Sequence, residues 1–145
     1  MYKNILIPTD GSELANKAVE HGIVLAKAIS AKITVVTVTL PFHVFTLDPQ
    51  VVEETSNQYK ERIQRHANGT LSAVATKAKA AGVPCDIIHL EHEHVYQAII
   101  DSAKAKGCDL IAMASHGRRG VSAMILGSET FKVLTHSRIP VLVHR

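Results

Sequence analysis

A serine, a histidine, two arginines and two glycines fall within Ala114-Ser115-His116-Gly117-Arg118-Arg119-Gly120, and after six more residues comes Gly127-Ser128-Glu129-Thr130. The apolar run Leu110 to Met113 just before them reads as a buried strand, so these residues stand where a parallel sheet delivers its loops to a ligand. Gly117 and Gly120 allow positive φ and close backbone approach, and the free N–H groups of a helix opening at Gly127-Ser128 favour an anion. Ser128 and Thr130 add hydroxyl donors. The chemistry these types suit is phosphate binding, although a plain glycine-rich turn with a serine helix cap would use the same residues.

A second loop carries polar groups in a comparable place. Pro8-Thr9-Asp10-Gly11-Ser12 follows the apolar Ile5-Leu6-Ile7, and the Asp10 carboxylate offers two acceptors to the vicinal hydroxyls of a ribose. Capping of the following helix by Asp10 or Ser12 is the other use of these residues. His116 sits in the first loop and is able to bond a phosphate or move a proton near neutral pH. No paired carboxylate, nucleophile elbow or Cys/His pair accompanies it, so the expectation is no dedicated catalytic centre and at most slow hydrolysis of a bound nucleotide. The GxxxxGK[ST] phosphate loop is absent, which excludes a fast ATPase of that class. His89, His92 and His94 lie close together, but no cysteine or HExxH spacing completes a site, and no metal is expected there.

The elements that must hold these loops follow from periodicity. Asn4 to Pro8 reads as a strand, and Ala15, Ala18, Val19, Gly22, Ala26 and Ile29 recur as the stripe of an amphipathic helix. Lys32 to Leu40, rich in Val, Ile and Thr, is a strand with neighbours on both edges, ended by Pro41. Phe42 to Pro49 has no clear period; Gln50 to Ala81 is a long helix that tolerates Gly69 and stops at Gly82-Val83-Pro84. Strands at Cys85 to Leu90, Asp109 to Ala114 and Pro140 to His144 alternate with helices at Val95 to Ala103 and Ser128 to His136. Strands joined through helices run parallel in a sheet covered on both faces, which makes the chain an open α/β sandwich.

Composition narrows the function classes. A chain of 145 residues, 46% hydrophobic, suits one domain with a full core and no repeat or linker. The net charge is +3, with basic and acidic residues interspersed, and Trp is absent; neither a phosphate-backbone footprint nor a stacking platform for nucleic acid is present. Cys85 and Cys108 show no pairing motif, and a reducing compartment is the simpler reading. Met1 leads into an apolar run too short for a signal peptide, and no stretch approaches the roughly 20 apolar residues that cross a bilayer. The expectation is a cytoplasmic protein without membrane or nucleic-acid partners.

Four segments together carry a family resemblance: Thr9-Asp10-Gly11-Ser12, Ala114 to Gly120, Leu126-Gly127-Ser128, and Ser137-Arg138-Ile139-Pro140-Val141-Leu142-Val143. Their order and spacing resemble a universal stress protein over the whole chain, residues 1 to 145. The resemblance implies a five-stranded parallel sheet of order 3-2-1-4-5 and a homodimer built on the last, C-terminal edge strand. It also implies that the chain binds ATP or a related adenine nucleotide, with or without magnesium, as a sensor or regulated scaffold in a stress response. A member that binds no nucleotide and acts through protein partners is the alternative. The family's nucleotide pattern is a glycine, two residues, a second glycine, nine residues, then Gly followed by Ser or Thr. Gly117 and Gly127-Ser128 keep its second and third parts, and Ala114 stands where the first glycine is expected.

Carried over position by position, the resemblance sets Pro8, Thr9 and Asp10 beside adenine and ribose, with the backbone of Val38 at the end of the second strand. Met113, Ala114, Gly117, Gly127, Ser128, Glu129 and Thr130 would line the sugar and phosphates, and Arg118 and Arg119 are second-rank candidates for phosphate charge. The closing strand, Pro140 to Arg145, is an apolar sheet edge, and an isologous dimer would close it.

Overall fold

A computed structural model describes residues 1–45, 55–117 and 126–145. Ten elements follow one another: β1 (Asn4–Pro8), α1 (Glu13–Ile29), β2 (Lys32–Thr39), α2 (Phe42–Phe45), α3 (Ser56–Ala81), β3 (Cys85–Glu91), α4 (Val95–Ala105), β4 (Leu110–Ala114), α5 (Ser128–His136) and β5 (Val141–His144). The strands form one parallel sheet in the order β3-β2-β1-β4-β5. The strand order that the resemblance implied is therefore the observed one.

Alternation along the strands builds the two layers. Ile5 and Ile7 of β1, Ile33 and Val35 of β2 and Leu110 and Ala112 of β4 face α1 and α3, where Val19, Ile23, Leu71 and Val74 meet them. Leu6, Val36, Ile111 and Met113 face the other way, onto Ile99, Ile100 and Ala103 of α4 and Val133 of α5. A strand apolar at every position is what a sheet covered on both sides requires. Gly22 lets α1 close onto β1, since a Cβ built there would fall inside van der Waals contact of Ile7 Cδ1.

The helix ends are set by local chemistry. Ser12 caps α1 by accepting from the Ala15 N–H at 3.2 Å, and α1 closes at Ser30 in the left-handed region, φ 57°. The long helix begins at Ser56, behind a reciprocal capping box of Thr55 and Gln58, and it stops at Gly82, φ 75°, as the glycine-valine-proline signal suggested. Of the sequence boundary for that helix, residues 50 to 54 lie outside the described residues. The short α2 had no counterpart in the sequence reading, because a single turn is too brief to show a period.

At the far end of the sheet from the candidate loops, Asp109 ties β4 to the N-terminus. Its carboxylate accepts from the backbone N–H of Lys3, at 2.9 Å to Oδ2, and of Asn4, at 3.1 Å to Oδ1. Burial pushes the Asp109 pKa up, but these bonds, its own N–H and the terminal amine outweigh burial and hold it below the ordinary carboxylate value. A depressed folded-state pKa contributes stability that is fully present above the unfolded value, about 4, and is lost as pH falls through the lower folded one. The melting temperature of the wild type should thus fall more steeply on acidification below about pH 4 than that of Asp109→Asn. Parallel melts of both proteins across that range check it.

Candidate functional site

β1 pairs with β2 on one side and with β4 on the other, so the chain reverses its direction of winding between β1 and β4. In an open parallel sheet a crevice opens beyond the strand ends at that reversal. The loops after β1 and β4 flank it.

The first loop is held from below and within. The Thr9 N–H donates to Val36 O at 2.9 Å, and the Thr37 hydroxyl donates to Thr9 O at 3.0 Å, so Thr9 is buried and fixed to β2. The Gly11 N–H donates to Thr9 Oγ1 at 3.2 Å, and the Ser12 N–H to Asp10 Oδ1 at 2.9 Å. Gly11 takes φ 79°, the left-handed conformation the turn requires. Ser12 is therefore the helix cap, while Asp10 shapes the turn with one carboxylate oxygen. The other oxygen, Oδ2, lies against Gly117 across the crevice: a Cβ built on Gly117 would overlap it.

The second loop folds back on the end of β4. The Ser115 N–H donates to His144 O of β5 at 2.8 Å, the Gly127 N–H donates to Ser115 O at 2.7 Å, and the buried Thr130 hydroxyl donates to Ala114 O at 2.9 Å. Gly127 is the N-cap of α5, φ −61° and ψ 152°, and, having no side chain, it makes no side-chain cap bond. A Cβ on Gly127 would come within 3.0 Å of His116 Cα. The first-turn N–H groups of an α-helix have no partner within the helix, and at the start of α5 the Gly127 N–H is taken by Ser115 O. Ser128 is exposed there. His116, half-buried, has its Nδ1 3.2 Å from Ser115 Oγ.

Of the two uses that the sequence allows for Gly117, positive φ and close backbone approach, the second is the one seen. Gly117 does not use positive φ, nor does Gly127; among the described glycines only Gly11, Gly82 and Gly107 do. Both site glycines are needed for space instead, since each backbone packs against a neighbouring loop. Ala114, in the position of the missing glycine, likewise has negative φ, so its methyl group carries no backbone strain. Gly120, Arg118 and Arg119 lie outside the described residues.

The remaining candidates fall into place around this geometry. Pro8 closes β1 next to Val36, and Val38, half-buried near the end of β2, pairs with Leu90. Met113 and Ala114 are buried in β4, leaving backbone as what they present. Glu129 turns its carboxylate away to α4, where Oε2 accepts from the Tyr96 N–H at 2.8 Å; Lys132 lies 3.7 Å from its other oxygen. His94, the N-cap of α4, makes no side-chain cap bond, so Glu129 supplies the missing acceptor from another helix. Glu129→Ala should cost about 1 kcal/mol and speed hydrogen exchange at the Tyr96 amide, measured by denaturant unfolding and amide exchange.

Two residues that the sequence reading did not single out also border the site. Thr70 and His66 of α3 approach Gly11, with His66 Nε2 3.5 Å from Asp10 O. Nothing local marks them, because α3 meets this loop only through the tertiary fold. Of the histidine triplet, His89 Nε2 bonds Thr39 Oγ1 at 2.8 Å, while His92 Nδ1 accepts from the His94 N–H at 2.8 Å and the rings of His92 and His94 have centroids 6.0 Å apart.

Comparison with known proteins gives consistent results. The model of the Universal stress protein family matches residues 1–145. Universal stress protein YxiE of Bacillus subtilis is 30% identical over 149 residues, covering 100% of each chain. Universal stress protein MJ0577 of Methanocaldococcus jannaschii is 31% identical over 156 residues, covering 99% of this chain and 94% of that one. The solved MJ0577 structure superposes with TM-score 0.83 at 26% identity, over 99% of this chain and 96% of that one. A universal stress protein crystallised in complex with cAMP has the same fold, with TM-score 0.74 at 21% identity, over 99% of this chain and 97% of that one.

Proposed function

The chain belongs to the universal stress protein family, and on that premise we propose that it binds ATP or a related adenine nucleotide in the crevice between the loops after β1 and β4. In this reading Pro8, Thr9 and the backbone of Val38 take the adenine side, and the Asp10 carboxylate accepts from the ribose hydroxyls. Met113, Ala114 and Gly117 line the sugar. The backbone at Gly127 lines the phosphates, to which the backbone at Ser128, Glu129 and Thr130 donates, with magnesium as a companion ion where the phosphates recruit it. A relative of the same fold takes cAMP, an adenosine phosphate.

The observation that carries the proposal is the meeting of Asp10 Oδ2 with Gly117 near the glycine-capped start of α5. A carboxylate for hydroxyls and a helix N-terminus for phosphates then stand at one switch point. Bound nucleotide makes the protein a sensor or a regulated scaffold of a stress response, a single-domain cytoplasmic homodimer. The free thiols of Cys85 and Cys108 suit a reducing compartment. The half-exposed Leu142 makes the β5 edge apolar, which suits pairing with a second copy. No step of covalent catalysis belongs to this reading beyond slow hydrolysis of the bound nucleotide.

The alternative, a dimer that acts through protein partners without nucleotide, draws on Thr130 and Asp10 Oδ1 being used within the protein itself. Heat-released supernatant from the purified protein decides between them. ATP, ADP or AMP in it, with saturable calorimetric binding of added ATP, is expected. An empty supernatant together with no heat at millimolar ATP would establish the alternative.

A further inference from the structure

The imidazoles of His21, in the middle of α1, and His144, the last residue of β5, meet on the α1 side of the sheet edge, with their Nδ1 atoms 3.2 Å apart. The ring centroids lie 4.0 Å apart and the planes cross at 78°, an edge-on contact between residues 123 positions apart in sequence. The main chain of His144 serves the crevice. Its carbonyl accepts from the Ser115 N–H at 2.8 Å, and Ser115 O accepts from the Gly127 N–H at 2.7 Å, so the end of β5, the second loop and the start of α5 form one hydrogen-bonded series. We propose that the His21–His144 contact is an acid-opened latch, which at neutral pH fixes the second loop through the end of β5. Its bearing on ligand rests on the nucleotide reading above, whereas the latch itself does not.

Proton inventory makes the contact sensitive to acid. Between two neutral rings, the Nδ1–H of one donates to the bare Nδ1 of the other. A first added proton, taken by the outward Nε2 of the donor, keeps that bond. A second proton puts hydrogen on both Nδ1 atoms, and at 3.2 Å two donors and two like charges then face each other, so the rings must part. The neighbours act in the same direction. From α1, Lys17 stands one helical turn before His21, with Glu13 3.7 Å from its ammonium as a partial offset. From β5 itself Arg145 follows, and β4 opposes His144 with the uncharged Ala114.

Burial, then His21, then Lys17 hold the His144 pKa below its ordinary value. A histidine with a depressed folded-state pKa contributes stability that is complete above the unfolded value, about 6.5, and is lost as pH falls through the lower folded one. Acid thus opens the latch, and neutral pH closes it. β5 has only four residues and His144 is its last, so the bond to Ser115 is the first that fraying of the strand reaches.

Amide hydrogen exchange of the whole chain, expressed as protection over each residue's intrinsic rate, tests the latch at about pH 7.5 and about pH 5. In the wild type, protection at the Ser115 and Gly127 amides should fall about tenfold from the higher pH to the lower. His21 is exposed on a helix, where alanine is well tolerated, and in His21→Ala the same amides should already be weakly protected at neutral pH and change little with acid. ATP affinity measured by calorimetry should follow: the wild type should bind about threefold to tenfold more tightly than His21→Ala at the higher pH and about equally at the lower. Taking that ratio cancels the nucleotide's own titration. His92→Gln, beyond the opposite edge strand β3, should behave as the wild type. Ser115 protection that is equal in the wild type and His21→Ala, or that does not change with pH in the wild type, would overturn the latch. The expected protection pattern in a protein that binds ATP at neither pH would uphold the latch and contradict the nucleotide reading.

Discussion

Replacing Gly117 by alanine is expected to weaken ATP binding by about tenfold to a hundredfold while the sheet stays folded. The added methyl would overlap Asp10 Oδ2, so either the carboxylate or the second loop must move. Asp10 Oδ1 is held by the Ser12 N–H at 2.9 Å, and shifting one oxygen displaces the other, which loosens the turn where the ribose acceptor stands. Overpacking of this kind costs about 1–3 kcal/mol, and here it falls on the proposed ligand site rather than on the core. Gly82→Ala is the matched control. Its φ of 75° makes alanine strained, yet nothing lies near its Cβ, and it is far from the crevice at the end of α3. That change should cost about 1 kcal/mol of stability and leave ATP affinity alone. Calorimetry and thermal melts on both variants separate loss of space from loss of backbone freedom.

The largest stability effect is expected from Leu6→Ala. Leu6 is fully buried in β1, the central strand, and packs with Val36 and Ile111 under α4. Removing its isobutyl group forfeits transfer free energy and leaves a cavity that neighbours on adjacent strands cannot fill, a loss of about 2–5 kcal/mol. Domains of this size hold only about 5–15 kcal/mol in total, so the variant should unfold at markedly lower denaturant. The dependence on denaturant should keep its slope, since the surface exposed on unfolding is nearly unchanged. An unaltered midpoint would mean that β1 is not the centre of the core.

These two residues also illustrate what a sequence can reveal. Leu6 was legible because an apolar run bounded by helix signals has few uses other than a buried parallel strand. The caps were legible for a similar reason: Ser12 and Gly82 act on atoms a few residues away. Strand order was not readable from periodicity and came from the resemblance, because pairing of β1 with β4 joins Ile5 to Leu110 across most of the chain. Site chemistry divides along the same line. The loops of Asp10 and Gly117 were identified separately, but their contact depends on which strands are neighbours. The residue type at Gly117 allows either positive φ or close backbone approach, and only the tertiary contact with the Asp10 carboxylate selects the second. Glu129 likewise belonged by position to the phosphate lining, and only the packing of α4 on α5 reveals its bond to Tyr96.

The central claim is that adenine nucleotide occupies the crevice where β1 and β4 diverge. Backbone amide NMR of the isotope-labelled chain, titrated with ATP, tests both the binding and its place. Saturable shifts should appear at Thr9 to Ser12, at His116 and Gly117, and at Gly127 to Thr130, while the Asp109 end of the sheet stays still. Spectra unchanged at millimolar ATP, or shifts that cluster away from both loops, would contradict it.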